Sequence, residues 1–356
     1  MFISLFLLII ILLLSSNQKT VVTYTRCVNI PLGKLMKKIF NKHNISNSSN
    51  NNGDDIYIPC GYNHVEKELK HISTHNSSKY IFGISGCDKI VSKNNLWLIL
   101  SDTYGRDKAS QIMPESFLSY DNHDLYLFQN QYKKNDIYIL KKNLQRKEGL
   151  LLTKDYNEIV NCSKENYKVI QKYQTDTFLI NRRKINLRVY LLITCHNGKI
   201  TGWVHNNGKC IYTNKDYNDD ELDFEKNITS YNLDMDIYKR NPFTLEDLKL
   251  YLEYNGYVPS NLFTEIDSHI NNTLSAADKY LCKLNRIKNK PTFQLFGLDF
   301  LIQTNLHPLL LEINKGPDMV PKNSTDEKLK TKVLEDIFRT IGIIDDNIKT
   351  GFRKIY

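Results

Sequence analysis

Two carboxylates and one amide, Asp299, Glu312 and Asn314, have the types and spacing to hold a metal ion. They lie in residues 292–318, TFQLFGLDFLIQTNLHPLLLEINKGPD. Aromatic and branched residues flank a polar turn, Thr304-Asn305-Leu306-His307, so the stretch reads as two antiparallel strands. With Asn305 and Leu306 at the turn centre, Asp299 falls opposite Glu312 and Leu301 opposite Leu310. Asn314 shares the face of Glu312, and its partner Gly297 leaves a gap. Like charges directly opposite destabilise a sheet unless something neutralises them. A few hard oxygen ligands suit Mg²⁺ held jointly with substrate phosphates. The same pair on a solvated sheet edge would need no metal, so the rest of the chain has to decide.

Cations on neighbouring elements would serve the same chemistry. Residues 180–195, INRRKINLRVYLLITC, alternate cleanly. Ile185, Leu187, Val189, Leu191, Ile193 and Cys195 form a core face; Lys184, Asn186, Arg188 and Tyr190 form the other. A polyphosphate site needs fixed cations, and a rigid strand fixes them. A surface strand bearing Lys and Arg is the commonplace alternative. Residues 136–152, DIYILKKNLQRKEGLLL, read as strand, basic loop, strand, with Lys141 on the side of Ile137 and Ile139. The loop ending at Gly149 can close over phosphates or be a solvated hairpin tip. VIQKYQ, residues 169–174, is a short strand, and His196-Asn197-Gly198-Lys199 is an Asn-Gly hairpin turn. A return strand, 200–205, leads to a second turn at Asn206-Asn207-Gly208. SKNNLWLIL opens a helix, and residues 242–254 and 261–287 have helical periodicity. Residues 326–341 form an amphipathic helix that packs on the core.

The 356 residues, 41% hydrophobic and 24% charged, suit a globular chain of two or three lobes. The net charge of +9 favours an acidic partner. No basic run is interleaved with aromatics, so no nucleic-acid partner is expected. Seven cysteines, odd in number, widely spaced and without a C-x-x-C, argue against a disulfide framework and a structural zinc site. Reduced thiols in the cytosol are expected. Residues 1–14 are apolar, and as a helix would span about 21 Å, short of a ~30 Å hydrocarbon core. Positive charges follow the segment, so it reads as an uncleaved membrane anchor with a cytoplasmic body; a signal peptide is the alternative. Residues 19–55, Asn-rich towards their end, read as a polar linker, and the folded body is expected to start near Ile56.

With these pieces in order, the chain resembles the tubulin–tyrosine ligase-like family of the ATP-grasp superfamily over roughly residues 80–342. FQLFGLDF followed by LLLEIN is similar to the family's closing hairpin, and VIQKY with RKINLR to its nucleotide hinge and Lys-x-x-x-Arg strand. SKNNL and MPESF resemble its N-terminal lysine element. YILKK with its KEG loop resembles its phosphate-covering loop, and NITSYNL its Leu-Thr-Asn element. The resemblance implies an α+β ATP-grasp fold with mixed and antiparallel sheets and packed helices. The lobes are expected at 56–118, 119–178 and 179–345, after an N-terminal segment 1–18 and before a tail 346–356. It implies ATP-dependent ligation of an amino acid, tyrosine or glutamate, to an acidic protein tail, tubulin in the first place, through an acyl phosphate. ATP and Mg²⁺ would be the cofactors and a free amino acid the second substrate. Asp299, Glu312 and Asn314 would hold the metal; Lys93, Lys141, Lys147, Lys184 and Thr229 would lie at the nucleotide. Gln171, Lys172 and Tyr173 would line the adenine hinge, and Arg188 with Lys184 would act on the transferred phosphoryl. Asn186 replaces an acidic residue of the family, Ser230 an Asn, and Ile211 an Arg that would engage the acceptor. A non-catalytic protein of the same fold, or a ligase with another acceptor, are the competing readings.

Overall fold

The alternation read in the sequence builds two sheets. The computed structural model describes residues 22–26, 32–47, 55–72, 78–144, 149–229 and 233–356. The strands in chain order are β1 (Thr23–Arg26), β2 (Ser46–Asn47), β3 (Ile56–Ile58), β4 (Tyr80–Phe82), β5 (Ser116–Leu118), β6 (Tyr138–Lys141), β7 (Leu150–Thr153) and β8 (Val169–Lys172). They continue as β9 (Leu179–Ile180), β10 (Arg183–His196), β11 (Lys199–His205), β12 (Lys209–Tyr212), β13 (Thr292–Ile302), β14 (Pro308–Asn314) and β15 (Phe352–Lys354). The large sheet runs β15-β11-β10-β13-β4-β3-β1-β2, with β9 and β12 also on β10 and β14 on β13. It is parallel from β13 through β4 and β3 to β1 and β2, and antiparallel elsewhere. The small sheet, β5-β8-β6-β7, is antiparallel throughout. This is the mixed α+β architecture expected.

β10 is the spine. Its odd residues, Ile185 through Cys195, sit in the main core with the Pro259–Ala277 helix. Its even face is divided: Tyr190 and Leu192 enter a second core, while Lys184, Asn186 and Arg188 line a cavity. The Asn197-Gly198 turn has φ of 51° and 73°, the left-handed pair a two-residue hairpin requires.

Three expectations are corrected. First, the 19–55 stretch is not simply a linker. β1 pairs with β3, and the Lys34–Lys42 helix buries Leu35, Ile39 and Phe40 against the Ser324–Thr340 helix. Apolar spacing carried that signal, and the polar composition masked it. Second, the 346–356 tail is tied down. β15 pairs with β11, and the Gly351 amide donates to buried Asp336 at 2.7 Å. Third, Cys195 and Cys282 form a disulfide, and Cys60 is disulfide-bonded as well, whereas Cys87, Cys162 and Cys210 are free. The 87 residues between Cys195 and Cys282 hid that pairing; β10 and the end of the Pro259–Ala277 helix bring their Cα atoms to 6.2 Å. The apolar segment 1–14 lies outside the described residues, among which no helix is long and apolar enough to cross a membrane.

Asp336 joins the last helix to the chain end. It accepts from Arg339, Lys332 and His205 as well as from Gly351. These donors hold its carboxyl well below the usual carboxylate range against the cost of burial. Asp336→Ala leaves Arg339 and His205 short of a buried partner and is expected to cost about 3 kcal/mol or more. Urea unfolding with an unchanged m-value checks this.

Candidate functional site

The hairpin places its carboxylates as the spacing predicts. Asp299 pairs with Glu312, and Gly297 with Asn314. Beyond Asp299 the register slips: Phe300 meets Leu310 and Leu301 meets Leu309, not Leu310 as expected. The extra residue is Leu311, a bulge that turns its side chain to the cavity. The predicted gap at Gly297 is filled. A Cβ there would come within 2.9 Å of Pro317 Cβ and 3.0 Å of Arg188 Cδ. Gly297→Ala is therefore expected to displace Arg188 and lower turnover by about 10²-fold with little loss of stability, which steady-state kinetics beside thermal unfolding would check.

Arg188 lies opposite Asp299 on the adjacent strand and binds it through two N–H groups, at 2.5 and 2.9 Å. Lys93, at the start of the Lys93–Tyr104 helix, stands 3.3 Å from Glu312 and donates to the Leu144 carbonyl at 2.7 Å. Asn314 Nδ2 donates to Asp299 at 3.3 Å and to Glu312 at 3.2 Å. Burial raises the Asp299 pKa, with Arg188 opposing. Burial works the same way on Glu312, but Lys93 and Lys141 outweigh it and lower its pKa. Glu312 is thus the more fully ionised of the pair.

Two lysines remain without a carboxylate. Lys141, at the end of β6, is buried and makes no ion pair among the described residues; burial brings its pKa down to about 8, with Glu312 opposing and Lys93 adding to it. Lys184 donates to Tyr173 Oη at 2.9 Å; burial, with Lys141 adding to it, brings its pKa to about 7. Lys93, Lys141 and Arg188 therefore act on the two carboxylates, and Lys184 stands next to Lys141 in the same cavity. Buried ammonium groups of lowered pKa lack an anion, and a polyphosphate with its metal is of the right charge and size. Asn186 adds a second vacancy of this kind. Its Nδ2 donates to Thr229 at 2.9 Å, while its buried Oδ1 has no hydrogen-bond partner. A nucleotide hydroxyl or amine would satisfy it.

These groups line one cavity of about 1060 Å³ between the two sheets. Gln171, Lys172 and Tyr173 line its small-sheet wall, as a hinge would. Gln171 is buried and held by Ser116 and the Pro114 carbonyl, and Lys172 pairs with Asp136 at the rim. Lys147, the neighbouring Arg146 and Ser230 lie outside the described residues. Gly149 has φ 106°, a conformation that favours glycine where the loop rejoins β7. Ile211 faces the cavity, whereas Lys209 points away to Asp326 and lies over Phe243. Sequence reasoning missed Asn227, whose carbonyl accepts from Tyr173 Oη at 2.8 Å. It also missed the wall formed by Leu32–Met36 residues and Tyr62, because that region read as linker.

Two sheets closing on a cationic cavity, with a carboxylate pair on the last hairpin, define an ATP-grasp-type protein. Residues 73–350 match the profile of the tubulin-tyrosine ligase family, and the chain belongs to that family. It is similar to tubulin glycylase 3B of Drosophila melanogaster, 24% identical over 226 residues, covering 60% of this chain and 30% of that protein. It is 29% identical over 189 residues to the probable tubulin polyglutamylase TTLL9 of Rattus norvegicus, covering 51% of this chain and 39% of that one. With the probable alpha-tubulin polyglutamylase Ttll1 of Tetrahymena thermophila the identity is 23% over 316 residues, covering 81% and 73%. The matched part is thus about a third of the length of the first two relatives.

Proposed function

We propose that this protein is an ATP-dependent ligase that joins an amino acid to a carboxylate of an acidic protein tail, tubulin's in the first place. The observation that carries the reading is the Asp299–Glu312–Asn314 set facing Lys93, Lys141, Lys184 and Arg188 in one cavity. Asp299, Glu312 and the Asn314 Oδ1 would hold Mg²⁺, which supplies charge neutralisation at the phosphates. Lys141 and Lys184 bind and orient the phosphate chain, and Gln171, Lys172 and Tyr173 border the base. An acceptor carboxylate oxygen attacks the γ-phosphorus and ADP leaves. The amine nitrogen then attacks the acyl carbon, phosphate leaves, and the nitrogen releases its proton. Arg188, fixed by Asp299, neutralises the transferred phosphoryl group.

The Asp299–Glu312–Asn314 set weighs against a purely non-catalytic binder, since such a protein needs no facing carboxylates. Ile211 in place of an acceptor-binding cation leaves glutamate, tyrosine and, from the glycylase relatives, glycine as the amino acids to assay. The Cys195–Cys282 disulfide favours a second reading, because disulfides persist in oxidising compartments. In that reading the acidic acceptor is an extracellular or luminal protein and the chemistry is unchanged. Hydroxylamine trapping tests the step common to both. Mg-ATP and acceptor should give a hydroxamate and one ADP per carboxylate trapped. ADP release without hydroxamate would count against an acyl phosphate.

A further inference from the structure

The turn of the same hairpin carries a cluster that the ligase reading does not use. Glu265 and His269 stand one helical turn apart on the Pro259–Ala277 helix, and so share a face. His307 follows the β13–β14 turn, where Leu306 takes φ 66°. One donor atom from each of the three residues lies within 4.8 Å of the others.

Two features of the cluster bear on what it could hold. His307 Nε2 lies 2.9 Å from the Gln111 carbonyl, which can only accept, so this nitrogen carries a proton. Its Nδ1 faces the Glu265 carboxylate at 2.9 Å, so the ring either pairs with that carboxylate as an imidazolium or, when neutral, presents a lone pair that only a shared cation reconciles with it. His269 is only 6% exposed, and neither ring nitrogen makes a hydrogen bond. His269 is therefore a buried imidazole without a hydrogen-bond partner, set beside a carboxylate and a second imidazole, 5.4 Å between ring centres.

We propose that Glu265, His269 and His307 bind one transition-metal dication of the zinc class, separate from the nucleotide metal. A cation would accept the lone pair of a neutral His307 Nδ1, a His269 nitrogen and a Glu265 oxygen together, and would give the buried His269 ring the partner it lacks. Two imidazoles and one carboxylate make a zinc-type donor set, whereas Mg²⁺ prefers oxygen alone. The bond from His307 Nε2 to Gln111 is the outer hydrogen bond that fixes a ligating ring. Metal–nitrogen distances of about 2.0–2.1 Å put tetrahedral donors roughly 3.3 Å apart, so the His307–Glu265 pair would open slightly and the more distant donors close. The ion would join the hairpin tip to the Pro259–Ala277 helix and, through Gln111, to the Arg106–Ile112 helix. That helix leads into Pro114 and Ser116, which hold Gln171, so the metal acts as a clamp behind the site rather than in it.

The test uses the full chain, stripped with a chelator and titrated with Zn²⁺ by calorimetry in the presence of millimolar Mg²⁺. One Zn²⁺ per chain is expected, with visible d–d bands when Co²⁺ replaces it. Glu265→Gln and His307→Gln, both at partly exposed positions, should each weaken Zn²⁺ binding by at least about 10-fold, while Asp299→Asn leaves it unchanged. A protein that takes up no Zn²⁺, or a Glu265→Gln/His307→Gln double variant that binds it as tightly as the wild type, would overturn the proposal and leave a plain imidazolium–carboxylate pair.

Discussion

Glu312→Gln is expected to lower ligation by about 10³-fold, equivalent to ~4 kcal/mol of transition-state stabilisation. Glutamine keeps the shape of Glu312 and the acceptor for Asn314 Nδ2. It removes the carboxylate whose pKa Lys93 and Lys141 hold down, and with it a ligand charge for the metal. The loss should fall on kcat, because the metal acts on charge that develops during transfer. Far-ultraviolet circular dichroism and the unfolding midpoint should stay near wild type, since the hairpin register rests on the backbone ladder and the buried apolar residues of β13 and β14. A variant retaining more than a tenth of wild-type turnover would remove Glu312 from the metal set.

ATP binding should take up protons. In the free protein burial lowers Lys184 to about 7 and Lys141 to about 8, so at pH 8 Lys184 is mostly neutral and Lys141 half so. A polyphosphate favours the charged amines and raises both values. Protons are therefore gained on binding at any pH between the free and bound values. Calorimetry at pH 8 in buffers of different ionisation enthalpy should report about one proton or more per ATP. The uptake should shrink towards zero at pH 6, where both lysines already carry their protons. Affinity accordingly strengthens as pH falls from 9 to 7, by up to about tenfold per proton per pH unit. Lys184→Met should lose most of the uptake at pH 8 and much of the affinity. Binding without proton exchange at pH 8 would mean that neither lysine meets the phosphates.

The parts of the site on long regular strands were legible in the sequence. The two-residue period fixed which face of β10 carries Lys184, Asn186 and Arg188, and a single turn fixed Asp299 against Glu312. The same reasoning failed two residues further along, because a bulge at Leu311 adds a residue that no periodicity announces. It also missed what fills the space at Gly297, since Arg188 and Pro317 come from separate segments. The N-terminal wall of the cavity was hidden for a different reason. Leu35, Ile39 and Phe40 are helically spaced, but they stand beside an Asn-rich stretch whose composition speaks for disorder. The disulfide and the Glu265–His269–His307 cluster join residues far apart in the chain, so only the fold brings them together.

Incorporation of a labelled amino acid reports the ligation itself. The full chain is incubated with Mg-ATP, tubulin or an acidic extracellular protein, and radiolabelled glutamate, tyrosine or glycine in turn. ATP-dependent transfer of one of these to an acidic acceptor is expected, abolished by Glu312→Gln. ATP binding with no incorporation of any amino acid into any acceptor would contradict it.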